Sequence, residues 1–313
     1  TFDRSRNPVI DLIEPEGAAL VDYSDLSYTE AFDALVDQLK NEYAFTEYKG
    51  IDWEALREEF RPRFVEADAN SDELAYLRAL RDFSWQIPDG HVSGPFIGED
   101  FRAAAIGGIG IAIRELDDGR ILVNFLLDGG PAAEAGMELR AEILEMNSQP
   151  IGEYISNTIS YFAPYSTPHS QRLDQLLFAT RFPIGTEVEV TFQNPGAVPQ
   201  TVTLEAVGEV DSFNFWLEDE TRDGFELPVE YEFLADEGVG YVQIFSFLDN
   251  DLLTVQLWER MIQAMNENDV PAIIIDMRKN GGGRGFLADQ MAAYFFNEPL
   301  VTCNSSFLDE ERV

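Results

Sequence analysis

The segment Ala272-Ile273-Ile274-Ile275-Asp276-Met277-Arg278-Lys279-Asn280-Gly281-Gly282-Gly283 constrains the fold more than any other. From Pro271 to Ile275 the run is apolar and rich in β-branched residues, without alternation. That is the pattern of a strand covered on both faces in a parallel or mixed α/β sheet. Ahead of it, Val239 to Phe245 reads as a strand and Asp251 to Asn266 as an amphipathic helix. Strand, helix, strand is a βαβ unit and requires a parallel pair. Such sheets gather function at the C-terminal ends of their strands, where the three glycines stand. Without Cβ atoms they let backbone N–H dipoles approach a reacting group closely, which makes the loop a candidate anion or oxyanion site. A plain glycine-rich turn into a helix, roughly from Phe286 to Phe296, is the alternative.

Nucleotide chemistry is disfavoured. The phosphate loop G-x-x-x-x-G-K-[ST] is absent, and G-x-G-x-x-G does not follow a strand; Gly107-Gly108-Ile109-Gly110 leads into a strand-like run instead of a helix. The charge balance is lopsided, with 21 basic against 58 acidic residues and a net charge of −37. Only Lys40, Lys49 and Lys279 are lysines. A surface of that sign repels nucleic acid and is expected to be a solvating face suited to a salty or extracytoplasmic setting. No D-x-[DN]-x-[DN]-G calcium loop occurs, and neither a metal nor an organic cofactor is expected. The single cysteine, Cys303, excludes an internal disulfide framework. No apolar stretch reaches the roughly 18 residues of a spanning helix. The start Thr1-Phe2-Asp3 has neither an initiator Met nor a signal h-region, as expected of a processed or trimmed chain.

With 313 residues the chain can hold more than one domain. Its first hundred residues carry amphipathic spacing in Tyr28 to Tyr43, Trp53 to Phe64 and Ser71 to Trp85, with Ser71 as an N-cap ahead of Leu74, Leu77 and Leu80. From about Phe101 the pattern turns to strands: Ile106 to Ile113, a turn at Asp117-Asp118-Gly119, then Ile121 to Leu127. A short helix follows, opened by Pro131 and closed by Gly136, and then a strand from Glu142 to Met146. After a helix from about Leu173 to Ala179, the segments Thr186 to Phe192 and Thr201 to Ala206 flank Asn194-Pro195-Gly196 as a second hairpin. A loop-rich stretch then leads to Val239.

The β-rich module resembles a PDZ domain of the bacterial-protease kind. The resemblance rests on Gly108-Ile109-Gly110-Ile111, on Gly130-Pro131-Ala132-Ala133-Glu134-Ala135-Gly136, and on Ile143 to Asn147 followed by Pro150-Ile151. It implies that backbone N–H groups of Gly108, Ile109, Gly110 and Ile111 capture a peptide's terminal carboxylate while the peptide adds a strand to the sheet edge. Arg140-Ala141-Glu142 departs from the Gly-Asp usual there. With Pro88-Asp89-Gly90-His91-Val92 before this module and Asp276-x-Arg278-x-Asn280-Gly281-Gly282-Gly283 after it, nearly the whole chain resembles the C-terminal processing and tricorn-core serine peptidases. The implied fold is α+β and α/β multidomain: an N-terminal helical region (1–100), a PDZ-like domain (101–208) and the start of a ClpP/crotonase-like βαβ peptidase core (209–313), C-terminally incomplete. The implied location is extracytoplasmic, in a bacterium.

The resemblance further implies that Gly282 and Gly283 contribute to an oxyanion hole and that His91 is a candidate general base. The chain has only two histidines, and a base poised near neutral pH is usually histidine. The alternative for His91 is a structural capping role, since in the serine–lysine branch that position is not the base. His169 reads as surface. The family's serine lies well beyond the glycine loop, so the nucleophile is expected past Val313. Ser305 and Ser306 come too soon, Cys303 is better read as a small buried hydrophobe, and none of the three lysines is placed for a dyad. Expected substrates are protein tails or unfolded polypeptides. Two rival readings stay open: a catalytically inactive peptide-binding protein, and a small-ligand-binding relative of the same fold.

Overall fold

The computed structural model describes residues 22–217, 227–278, 280–298 and 301. They divide into two compact units, with the boundary between Trp216 and Leu217.

In the first unit, helix α1 (Tyr28–Glu42) opens on a capping box. Ser27 Oγ accepts from Glu30 N while Glu30 Oε2 accepts from Ser27 N, satisfying two donors that a helix start leaves orphaned. After the single turn α2 (Thr46–Lys49), α3 runs Trp53–Asn70 from an Asp52 cap, and α4 covers Glu73–Ser84. Two expectations change here. Helix α3 continues through Pro62 to Asn70, because Phe60, Phe64 and Ala67 keep one face buried past the missing N–H. Ser71 is not an N-cap: it takes φ 50° as the residue that stops α3, and Asp72 caps α4 through Ala75 N. Phe32 stacks on Phe64 at 4.0 Å and meets Phe83 edge-on at 5.2 Å, forming the centre of this helical core.

Helix α5 (Gly98–Ala105) runs past Phe101, where the turn from helices to strands was expected. The run expected from Ile106 to Ile113 is split. Strand β1 (Gly107–Gly108) belongs to one small sheet, and β2 (Ile111–Glu115) to another, with Gly110 at φ 79° turning the chain between them. Next come β3 (Ile121–Leu126), α6 (Pro131–Glu134), β4 (Glu142–Met146), β5 (Gln149–Pro150) and α7 (Ile151–Ser156). Helix α8 (Pro168–Phe178) starts five residues earlier than expected, since Thr167 caps it through Ser170 N and Pro168 supplies a preset φ at its first turn. Strands β6 (Arg181–Phe182), β7 (Glu187–Gln193), β8 (Gln200–Glu205) and β9 (Val207–Gly208) follow, and α9 (Asp211–Leu217) ends the region. The larger sheet has the order β2-β3-β4-β7-β8, with β5 paired to β4, and β1 lies between β6 and β9 in the smaller one. Ile109, Ile111, Ile113, Val123, Ile143, Val190 and Phe192 fill the core beneath.

The second unit is a three-stranded sheet of order β10 (Val229–Leu234), β11 (Val239–Ile244), β12 (Ile273–Asp276). Strands β11 and β12 run parallel, joined by α10 (Asp251–Glu267), so the expected βαβ unit is present. Strand β10, inside the stretch read as loop, pairs antiparallel with β11 and makes the sheet mixed. Trp258, Met261 and Met265 of α10 pack on Val242 and Ile244, joined by Leu287 and Met291 of α11 (Gly285–Ala292). Helix α11 ends short of Phe296, in a 3₁₀ turn over Ala293–Phe295. The expectation of a strand covered on both faces is corrected. Among the described residues β12 is an edge strand, with Ile274 49% and Ile275 42% exposed.

Candidate functional site

The glycine loop leaves β12 at Asp276, and the end of that strand is clamped. The buried Asp276 carboxylate accepts from Tyr241 Oη of the neighbouring strand at 2.6 Å, from Arg278 N at 2.9 Å and from Arg278 Nη2 at 2.7 Å. The guanidinium beside it, aided by the tyrosine hydroxyl, holds the Asp276 carboxyl far below the usual carboxylate range. Asn280 then grips both sides of the turn: its Nδ2 donates to Ile244 O at 3.0 Å and its Oδ1 accepts from Gly282 N at 2.8 Å. Phe247 grips from the other side, donating its N–H to Gly282 O and accepting from Arg284 N, both at 3.0 Å.

This bracing distinguishes the glycines. Gly282 has φ 91° and Gly283 φ 139°, both in the region that favours glycine. A Cβ on Gly283 would lie 2.3 Å from the carbonyl carbon of Phe247, whereas one on Gly281 would meet nothing within 4 Å. The Gly282 N–H is engaged by Asn280, while the Gly283 N–H has no acceptor among the described residues. The loop is therefore a rigid cradle with an open donor at Gly283.

His91 belongs to the first unit, in a tight turn closed by Val92 N donating to Asp89 O at 3.0 Å. The turn is tied down from outside: Lys49 Nζ donates to Pro88 O at 2.5 Å, and Gly90 N donates to Ser166 Oγ at 2.8 Å. The imidazole is fully exposed, with Nδ1 3.6 Å from Asp89 Oδ1. Asp89 is buried and accepts from Tyr43 Oη at 2.5 Å and from His91 N at 3.0 Å. The tyrosine hydroxyl, seconded by the His91 N–H, holds the Asp89 carboxyl below its ordinary value. Burial, reinforced by the carboxylate, pushes the Tyr43 hydroxyl up to about 12.

Gly108, Ile109, Gly110 and Ile111 lie together at the break between β1 and β2. Gly108 is required there, since a Cβ would sit 1.9 Å from Glu209 Oε1, within the buried Arg181–Glu209 ion pair. Ile109 O accepts from Ala132 N at 3.1 Å and Gly110 O from Leu127 N at 2.8 Å. All four residues are buried, and Gly108 is held in the ladder between β6 and β9. Among the described residues strand β2 has a strand partner on one side only, β3, and helix α8 packs against it. Arg172 of α8 makes a two-pronged ion pair with Glu115 of β2, at 2.7 and 2.9 Å.

His91 and the glycine loop thus lie in different units, while the four residues at 108–111 share one loop and Gly282 and Gly283 another. Lys40 pairs with Glu54 at 2.7 Å, and His169 is exposed on the first turn of α8. Lys279, Cys303, Ser305 and Ser306 lie outside the described residues. Among the described residues no group of three or more His, Cys, Asp or Glu is arranged to hold a metal ion, and no helix is long and apolar enough to cross a membrane. Sequence reasoning missed the roles of Tyr43, Asp89, Tyr241 and Asn280. Asp89 and Asn280 could have been found, each being a short polar side chain two residues from the backbone N–H it caps.

Two segments match known families: residues 24–78 the Tricorn protease C1 domain, and residues 238–311 peptidase family S41. The carboxy-terminal processing protease CtpA of Bacillus subtilis (strain 168) is 23% identical over 208 residues, covering 66% of this chain and 34% of CtpA. In fold, the chain is similar to mature CPAF complexed with lactacystin, with a TM-score of 0.54 at 14% identity, covering 85% of this chain and 58% of that one. A second structure of mature CPAF gives a TM-score of 0.51 at 15% identity, covering 83% and 56%. The chain spans about a third of the length of CtpA and under three-fifths of the CPAF chains.

Proposed function

We propose, from the premise that this chain is a relative of the C-terminal processing peptidases, that it is part of a serine endopeptidase acting on protein tails or unfolded polypeptides. The observation that carries this reading is the braced glycine loop at the end of a parallel strand, with the Gly283 N–H open. On this reading a serine C-terminal to Val313 adds through its oxygen to the scissile carbonyl carbon. His91 takes the serine's proton and later passes it to the leaving amine, and water then hydrolyses the acyl-enzyme. Gly282 and Gly283 form the oxyanion loop, with the Gly283 N–H as the donor to the oxyanion and Gly282 fixed beside it by Asn280; one such donor is worth roughly 3 kcal/mol of transition-state stabilisation.

Residues 1–100 then serve as an N-terminal helical region, 101–208 as a PDZ-like domain and 209–313 as the start of a ClpP/crotonase-like core. The loop at 108–111 takes the substrate's terminal carboxylate, and the open edge of β2 takes its backbone. The acidic surface suits an extracytoplasmic protein. The test is hydrolysis of an unfolded polypeptide by the full-length protein, with the substrate's C-terminus free or amidated. Cleavage favouring the free terminus is expected. Binding of the free-terminus substrate without cleavage would favour the rival reading, a non-catalytic peptide binder, for which the edge of β2 beside the 108–111 loop is the supporting observation.

A further inference from the structure

We infer that Asp89, held in place by Tyr43, positions His91 so that Nδ1 faces the carboxylate and Nε2 faces outward as the nitrogen that takes the proton. The inference rests on His91 being the base. The imidazole is fully exposed, and the Asp89 carboxylate stands 3.6 Å from its Nδ1. Asp89 is built to orient it. Its side chain is 10% exposed against 100% for His91, so it is itself held still.

The two carboxylate oxygens divide the work. Oδ2 accepts from Tyr43 Oη at 2.5 Å, while Oδ1 accepts from His91 N at 3.0 Å and stands 3.6 Å from Nδ1. A carboxylate only accepts, so it favours the tautomer with hydrogen on Nδ1 and leaves the lone pair on Nε2. When Nε2 gains the serine proton, the imidazolium faces a fixed negative charge; Asp89 stays ionised throughout and takes no proton. Tyr43 supports this because its hydroxyl remains a donor, and because it is anchored in the helical core. Its N–H caps the end of α1 on Leu39 O at 2.9 Å, and its ring meets Trp53 edge-on at 5.8 Å. The helical region thereby sets the orientation of the base.

The test uses the full-length protein and a tail-bearing polypeptide, with variants H91A, D89N, Y43F and the double variant D89N/H91A. If the inference holds, H91A lowers kcat at least a hundredfold and leaves a residual rate that stays measurable above the uncatalysed one. D89N then lowers kcat by roughly tenfold to a hundredfold with KM within about twofold, and Y43F lowers it less. D89N also adds nothing in the H91A background, because Asp89 acts only through His91. Thermal melting of each variant separates this from a folding defect, which would add its cost in both backgrounds. Full activity in H91A would overturn the reading of His91 as the base. An impaired H91A beside a D89N of wild-type kcat would overturn only the positioning role. A D89N loss that persists in the H91A background would make Asp89 structural.

Discussion

At the scale of single residues, the three glycines after Asn280 are not equivalent. Gly283 faces the Phe247 carbonyl with no room for a methyl group, so Gly283→Ala must break the contact between Phe247 and the loop. We expect it to cost about 2 kcal/mol or more of stability and at least a hundredfold in turnover. Gly281→Ala meets no neighbour within 4 Å and should change both little. Melting curves and steady-state kinetics of the two variants check this. Asp276 gives a prediction in pH. Its folded-state value lies below the unfolded one of about 4, so its stabilisation is complete above that pH and is lost as pH falls toward the folded value. The melting-temperature advantage of the wild type over Asp276→Asn should therefore be constant from neutral pH to about 5 and shrink below about 4. The chemistry of such residues was unevenly legible in the sequence. Composition alone marks Gly281 to Gly283 as a place of close approach, but Tyr43 and Asp89 lie 46 positions apart, and no local pattern joins them.

At the scale of elements, legibility followed how local the cause is. Helices α1, α3 and α4 announce themselves by caps and apolar stripes, and the misplaced start of α4 comes from two adjacent cap-forming residues, Ser71 and Asp72. Strand β10 was missed although Val229, Tyr231 and Phe233 alternate with Glu230 and Glu232, a period-2 signal half hidden by its charges. The exposure of β12 was not legible, since whether a strand lies inside a sheet or at its edge depends on partners from elsewhere in the chain. The open edge of β2 carries its own prediction. Gly110 holds φ 79°, and a side chain there would press on Leu127 and Gly130, so Gly110→Val should distort the 108–111 loop. Calorimetric titration with a C-terminal peptide should show affinity reduced at least tenfold, to the level of the same peptide amidated, with roughly 1.4 kcal/mol lost per tenfold.

At the scale of the whole molecule, the net charge of −37 is the property that every surface group shares. Like charges at this density repel one another and oppose compaction, and salt screens the repulsion over about 10 Å at 0.1 M. Raising sodium chloride from about 0.05 to 1 M should therefore raise the melting temperature, as scanning calorimetry can read directly; a fall would mean that attractive ion pairs dominate. The central claim concerns chemistry: that the loop at Gly283 stabilises an acyl-transfer intermediate on a serine supplied by chain beyond residue 313. The most direct measurement is mass spectrometry of the full-length protein after reaction with a fluorophosphonate. The account predicts one adduct per chain, on a serine C-terminal to Val313, and its loss in Gly283→Ala. An unlabelled protein that still binds free C-terminal peptides would contradict it.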